Sequence, residues 1–174
     1  GRVERYLYVP APAQVEWHEA AYDPRIRRML VGGSASPGKS KFLREQIYLF
    51  GRQIPGLHIL LLRRTLKDLE QSHLRFMGHE LGERGAKWSP TDKVGTFEHR
   101  NDKPSLMRCG YLDAASDLEN YLSAEYDIIV IDELVTFPRD WMLELFTRAR
   151  TTNQHMIDLR GDVDEDYDGH LVMC

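Results

Sequence analysis

Gly33-Ser34-Ala35-Ser36-Pro37-Gly38-Lys39-Ser40 matches G-x-x-x-x-G-K-[ST] in full, the phosphate-binding loop known as Walker A. Its flanks agree. Arg27-Arg28-Met29-Leu30-Val31-Gly32 reads as a short strand entering the loop, and Lys41 through Phe50 as the helix leaving it. Glycines let the backbone curl so that successive N–H groups face phosphate oxygens. The helix N-terminus adds about half a positive charge. Gly33, Ser34, Ala35, Ser36, Pro37, Gly38, Lys39 and Ser40 are therefore the expected cradle for ATP. Lys39 is expected to reach the β- and γ-phosphates, and the Ser40 hydroxyl to hold Mg2+.

The second half of the expected site is Tyr126-Asp127-Ile128-Ile129-Val130-Ile131-Asp132-Glu133. The unbroken run of β-branched residues predicts a strand buried on both faces, as a parallel sheet requires. It ends in two carboxylates, a Walker B pattern. Asp132 is expected to hold Mg2+ through its water shell, and Glu133 to polarise the attacking water. A carboxylate beside the metal ligand favours hydrolysis over transfer to another substrate.

The chain has 174 residues, 42% of them hydrophobic and 29% charged, the composition of one globular domain with a sizeable core. Its two cysteines, Cys109 and Cys174, form no disulfide framework and no metal-ligand spacing, which fits a reducing compartment. No long apolar run follows Gly1-Arg2-Val3-Glu4-Arg5, so neither a signal peptide nor a membrane span is read. A net charge of −4 gives no general support for nucleic-acid binding, so any DNA contact has to come from local patches.

Along the chain, residues 6–16, with Val9-Pro10-Ala11-Pro12-Ala13, read as an extended lead-in and Gln14 to Ala21 as a short helix. Leu57 to Leu62 is a second buried strand with Arg63-Arg64-Thr65 at its carboxyl end, and residues 66–83 are helical in pattern. Gly95 to Arg100 and Ser105 to Tyr111 flank Asn101-Asp102-Lys103-Pro104 as a hairpin. Asp117 to Leu122 is a short helix. A helix after Pro138 carries Trp141, Leu145 and Ala149 on the face expected to meet the sheet, with Met142 and Phe146 beside it. Asp158 to Asp168 is acidic and aperiodic and reads as a solvated loop. The fold class expected is α/β: a P-loop NTPase of the RecA-like (ASCE) type. Its twisted, mostly parallel sheet would have helices on both faces and an antiparallel hairpin insertion. Ser40, Asp132, Glu133 and Arg63-Arg64 then share the carboxyl edge of the sheet, where ligands bind in such folds.

These residues resemble the ATPase domain of a large terminase subunit, the motor that packages DNA into tailed-phage capsids. The resemblance runs over roughly residues 10–153. It is carried by Pro12-Ala13-Gln14, Leu30 through Ser40, Leu61 to Thr65, the hairpin, Ala124 through Glu133, and Thr147-Arg148-Ala149-Arg150. It implies that Gln14 reads the adenine, since an amide can pair with its N6 and N7. It implies double-stranded DNA as partner, a homo-oligomeric ring on the capsid portal, a small terminase subunit, and the host cytoplasm as the place of action. The chain departs from the family in three ways. Ser34-Ala35-Ser36 supplies no arginine to the loop. Pro37 removes one backbone N–H from the cradle. The coupling motif on the strand after Walker B is not clear, with Thr151-Thr152-Asn153 its faint candidate. A single ATPase domain over residues 1–174 is expected, with its core at about 12–153, an acidic tail at 154–174, and no nuclease domain within the chain.

Three other functions compete with a DNA-translocating motor. A helicase-like ATPase would need a second RecA-like domain. A small-molecule kinase usually lacks the second Walker B carboxylate. A nucleotide-binding module would bind without turnover. With no arginine in Walker A, a transition-state arginine has to come from elsewhere. Arg139, Arg148 and Arg150 are the candidates in trans, and Arg63 and Arg64 in cis.

Overall fold

The computed structural model describes residues 7–32, 38–161 and 168–174. Seven strands form one sheet in the order β1-β7-β6-β2-β5-β4-β3. They are β1 (Arg28–Met29), β2 (His58–Arg63), β3 (Lys87–Ser89), β4 (Val94–Phe97), β5 (Ser105–Tyr111), β6 (Ile128–Ile131) and β7 (Leu171–Met173). β1, β7, β6, β2 and β5 pair in parallel, while β4 and β3 are added antiparallel. This is the P-loop α/β fold expected, with the antiparallel hairpin widened by β3 into a meander.

Period-two alternation along the buried strands divides the core in two. Ile59, Leu61, Ile128, Val130, Leu171 and Met173 face α2 (Gly38–Gln53), which supplies Phe42, Leu43, Ile47 and Phe50. Leu60, Leu62, Ile129, Ile131 and Val172 face the other way, against Leu118, Tyr121, Met142 and Leu145. α1 (Pro12–Tyr22) lies on α2 through Trp17 and His18, both packed on the Phe42 ring. Pro12 opens α1 where its missing N–H removes no helical bond.

The helix expected over 66–83 spans that range but is not regular. α3 (Leu66–Leu69) is capped by Thr65, which accepts from the Asp68 N–H. A π-helical turn over Glu70–Leu74 follows, then α4 (Arg75–Glu83). A 3₁₀ turn (Ala115–Leu118) leads into α5 (Glu119–Leu122) ahead of β6. In α6 (Arg139–Phe146), Met142 and Leu145 are the buried residues, and Trp141 packs only partly. Leu145 and Ala149 are buried as expected, and Met142 takes the place expected of Trp141.

The solvated-loop reading of 158–168 needs correction at its start, where Asp158, Leu159 and Arg160 are helical, while residues 162–167 lie outside the described residues. Gln154–Arg160 is a helix, α7, and Leu171–Met173 is β7, which sits between β1 and β6 in the sheet. Arg160, fully buried, donates to the carbonyls of Ala21, Ile26 and Gly169 and so ties α7 to the entry of β1. No helix among the described residues is long and apolar enough to cross a membrane.

Candidate nucleotide site

β1 is shorter than expected and ends at Met29, from which Leu30, Val31 and Gly32 lead to the Walker A loop, and α2 starts within the motif at Gly38. Gly38, Lys39 and Ser40 form the first turn of α2. Gly33, Ser34, Ala35, Ser36 and Pro37 lie outside the described residues. Asp132 and Glu133 follow the last residue of β6, two strands away from β1 across β7. A cleft of about 330 Å³ lies between them, lined by Gly32, Lys39, Leu43, Asp132, Glu133 and Cys174 among others. Cys174 stands at the carboxyl end of β7, the strand after Walker B. Thr151-Thr152-Asn153, by contrast, sits at the opposite edge of the sheet. There Thr151 Oγ1 donates to Asp127, while Asn153 caps α7 and donates to the Pro55 carbonyl. That position does not suit a motif meant to touch nucleotide.

Asp132 is 5% exposed and heavily partnered. Ser40 Oγ donates to its Oδ2 at 2.7 Å, and His73 Nε2 lies 2.9 Å from the same oxygen. The Arg63 Nε stands 3.8 Å away. Burial alone pushes this carboxyl up, but the hydrogen bonds of His73 and Ser40 and the charge of Arg63 outweigh it and hold Asp132 at about 2. The same burial pushes the His73 imidazole down, against the pull of Asp132.

The donor set fits Mg2+. A hydroxyl has one proton and two lone pairs, so Ser40 can donate to Asp132 and still offer oxygen to a cation. Mg2+ is usually bound by one or two carboxylates plus phosphates, with waters completing the shell.

Glu133 differs from its neighbour. Its side chain is 57% exposed, and Arg63 Nη1 lies 2.8 Å from its Oε2. Its backbone is left-handed at φ 60°, ψ 56°, a conformation uncommon for a residue other than glycine. Such outliers cluster at functional sites. Arg63 is itself buried. Its Nη2 donates to Ser72 Oγ at 3.0 Å, while its Nε and Nη1 have no well-formed hydrogen bond among the described residues. Arg64 turns away to the Leu112 carbonyl and the Trp141 ring, whose centroid is 5.1 Å from its guanidinium carbon.

Gln14 lies at the start of α1, buried to 8% exposure. Its Oε1 accepts from the Ala11 N–H at 2.8 Å and the Tyr8 hydroxyl at 3.1 Å. Its Nε2 donates to the Gly38 carbonyl at 2.9 Å. The amide is thus joined to the end of Walker A, and both acceptor positions of its carbonyl are in use. Pairing with an adenine N6 requires one of them to be released.

Sequence reasoning placed Ser40, Asp132, Glu133 and Arg63 on one edge, and the structure brings them together. It missed Ser72 and His73, which the π-helical turn delivers to the same cluster. A buried histidine beside a Walker B carboxylate leaves no pattern along the chain.

The fold and this edge define a P-loop domain of the α/β class. More narrowly, the fold is that of large-terminase ATPase domains. The large terminase of a thermophilic bacteriophage superposes with a TM-score of 0.69 at 12% identity, over 95% of this chain and 38% of that one. The same protein in complex with ADP gives 0.69 at 11% identity, over 95% of this chain and 45% of the other. A mutant large-terminase ATPase domain from Thermus phage P74-26 gives 0.65 at 17% identity, over 95% of this chain and 64% of that one. This chain therefore spans less than two thirds of the length of each. No family model and no curated protein matches the sequence.

Proposed function

We propose that this chain is the ATPase domain of a DNA-packaging motor of the large-terminase kind, which hydrolyses ATP to ADP and phosphate and drives double-stranded DNA into a viral capsid. One observation carries the reading: the Walker A hydroxyl of Ser40 hydrogen-bonds the Walker B carboxylate of Asp132, with Glu133 next in the chain. Similar solved domains hold ADP or ATP-γ-S, which supports nucleotide as the ligand.

The backbone N–H groups of Gly33 through Ser40, Pro37 excepted, would cradle the phosphates, and Lys39 would add a positive charge at the β- and γ-phosphates. Ser40 and Asp132 would hold Mg2+, which would neutralise phosphate charge there. Glu133, more exposed and less tightly held than Asp132, takes the proton of the attacking water. Arg63 orients Glu133 through the contact at 2.8 Å. Gln14 links the base-binding side of the site to Walker A through Gly38. The partners proposed are double-stranded DNA, further copies of the chain in a ring on the capsid portal, and a small terminase subunit, all in the host cytoplasm.

Phosphate release measured with and without double-stranded DNA tests the reading. Turnover that duplex DNA stimulates supports it. Nucleotide binding without turnover under either condition would make the domain a binding module, and stimulation by single strands alone would point to a helicase-like enzyme.

A further inference from the structure

His73 is fully buried, 0% exposed, and no part of either Walker motif. It belongs to the π-helical turn Glu70–Leu74. A π turn inserts a residue into the helical repeat and is often found at functional sites. Here it turns Ser72 and His73 toward the carboxyl ends of β2 and β6. Ser72 receives Arg63 at its hydroxyl and Arg44 Nη1 at its carbonyl, the latter at 2.5 Å. His73 Nε2 lies 2.9 Å from Asp132 Oδ2.

The Asp132 carboxylate, which can only accept, fixes the proton on His73 Nε2. Arg44 Nη1 faces His73 Nδ1 at 3.5 Å. Nδ1 is then left as the accepting nitrogen, which suits a guanidinium, a group with donors only. Arg44 is itself locked by Glu80, whose Oε2 accepts from its Nε at 2.9 Å. A chain of contacts thus runs from Glu80 through Arg44 and His73 to Asp132. It reaches the carboxylate from α4 and α2, separately from the Ser40 hydrogen bond. Ser40 and His73 both act on Oδ2, so the carboxylate is fixed in rotation by two donors from different elements.

We infer that His73 is a positioning residue for the metal site: its Nε2–H holds Asp132 by Oδ2, so that the carboxylate meets Mg2+ in one orientation. This rests on the reading of Ser40 and Asp132 as the metal-binding pair. A hydrogen-bond partner that orients a metal ligand in this way typically costs 10–100-fold in metal affinity when it is lost.

The test measures Mn2+ affinity in the presence of ADP by electron paramagnetic resonance, beside ADP affinity in a chelator. His73→Leu removes the donor. His73→Gln keeps an N–H donor on a neutral side chain. We expect His73→Leu to bind Mn2+ at least roughly ten-fold more weakly with metal-free ADP affinity unchanged, and His73→Gln to recover most of the loss. A folded His73→Leu protein with unaltered Mn2+ affinity overturns the inference. Nitrogen-15 shifts of His73 in the unmodified chain give a reading that needs no variant to fold. A proton on Nε2 supports the inference, and a neutral ring protonated on Nδ1 overturns it. Asp132→Asn is the control: if it too leaves Mn2+ affinity unaltered, the metal-site reading falls and takes this inference with it. If only His73→Leu is without effect, the inference alone falls.

Discussion

Ser40 and Asp132 lie 92 positions apart in the chain and 2.7 Å apart in space. The sheet order explains why. α2 begins at the carboxyl end of β1, and β6 ends on the same edge with only β7 between them. The hydroxyl and the carboxylate therefore face each other across the mouth of the cleft before any ligand arrives. Preorganisation of this kind means that the proposed metal site would not have to be assembled by the nucleotide alone.

Asp132 and Glu133 are adjacent but differ in environment, and their variants should differ accordingly. Asp132 is buried and bonded to Ser40 and His73, whereas Glu133 is half exposed and touches Arg63. Glu133→Gln is expected to keep Mg-ATP binding and to slow turnover on the order of 10²- to 10⁴-fold, the scale of a general base. Asp132→Asn is expected to weaken Mg-ATP binding itself. Calorimetric binding and single-turnover hydrolysis of the two variants check this. If both lost binding together, the division of roles would be wrong.

Lys39→Ala is expected to abolish hydrolysis and strongly weaken ATP binding, because Lys39 lines the cleft at the first turn of α2. Phosphate release and fluorescent-nucleotide titration are the measurements. Turnover retained by the purified variant would refute the site assignment.

Gln14→Ala should act twice. Removing the amide breaks the contacts to Ala11 and Gly38, so the free domain should lose roughly 1–3 kcal/mol of stability. The preference for ATP over GTP should fall more than total affinity does. Urea unfolding reads the first effect and nucleotide competition the second. Lost stability with unaltered base preference would restrict Gln14 to tethering α1.

The pH dependence follows from two carboxylates. Burial pushes Glu80 up, but hydrogen bonds from Arg44, Lys41 and Tyr48 prevail and hold it at about 2, below its ordinary 4.5. Asp132 is likewise held at about 2, below 3.8. A carboxyl depressed on folding stabilises fully above its unfolded value and loses that contribution as pH falls through the folded one. Unfolding free energy should therefore drop between about pH 4.5 and pH 2. Glu80→Gln should flatten part of this fall. At neutral pH it should destabilise by roughly 3–5 kcal/mol, because Arg44 keeps its charge in a buried place. Urea titrations at a series of pH values test both statements.

The legible parts of the fold are those whose burial writes a pattern. β2 and β6 are covered on both faces, so each reads as an unbroken apolar run, and α2 follows a loop whose residues are fixed by phosphate geometry. β7 writes no such pattern. Leu171-Val172-Met173 is short and follows an acidic stretch. Its neighbours make it a strand: the Leu171 N–H donates to the Asp127 carbonyl, and the Cys174 N–H to that of Met29. β3 was hidden for the same reason, as a brief edge strand paired only with β4. Within the site, the two motifs showed the carboxylates and the hydroxyl, but not His73. A regular helix over 66–83 would turn that residue elsewhere, and only the π-helical turn brings it to Asp132.

The remaining prediction concerns the arginine that completes the site. Phosphoryl transfer needs positive charge at the γ-phosphate in the transition state, and an arginine finger contributes roughly 10³–10⁵ in rate. Walker A supplies none. Arg63 is the cis candidate, buried beside Asp132 and Glu133 with Nε and Nη1 lacking a well-formed hydrogen bond among the described residues. Arg64 is committed to Leu112 and Trp141. Arg139 is exposed at the start of α6. Arg148 and Arg150 bracket Ala149, which bridges Tyr126 at the amino end of β6, the edge opposite Asp132. From there they can meet only the site of another subunit. A finger in trans predicts slow turnover in the monomer and specific activity that rises steeply with protein concentration. Mixing Arg139→Ala, Arg148→Ala or Arg150→Ala with Glu133→Gln should then restore partial activity, because one subunit keeps the base and its neighbour the arginine. Arg63→Ala mixed with Glu133→Gln should show no rescue if Arg63 acts in cis. Absence of rescue for every arginine, together with turnover independent of concentration, would sink the trans arrangement and leave Arg63 as the source of charge.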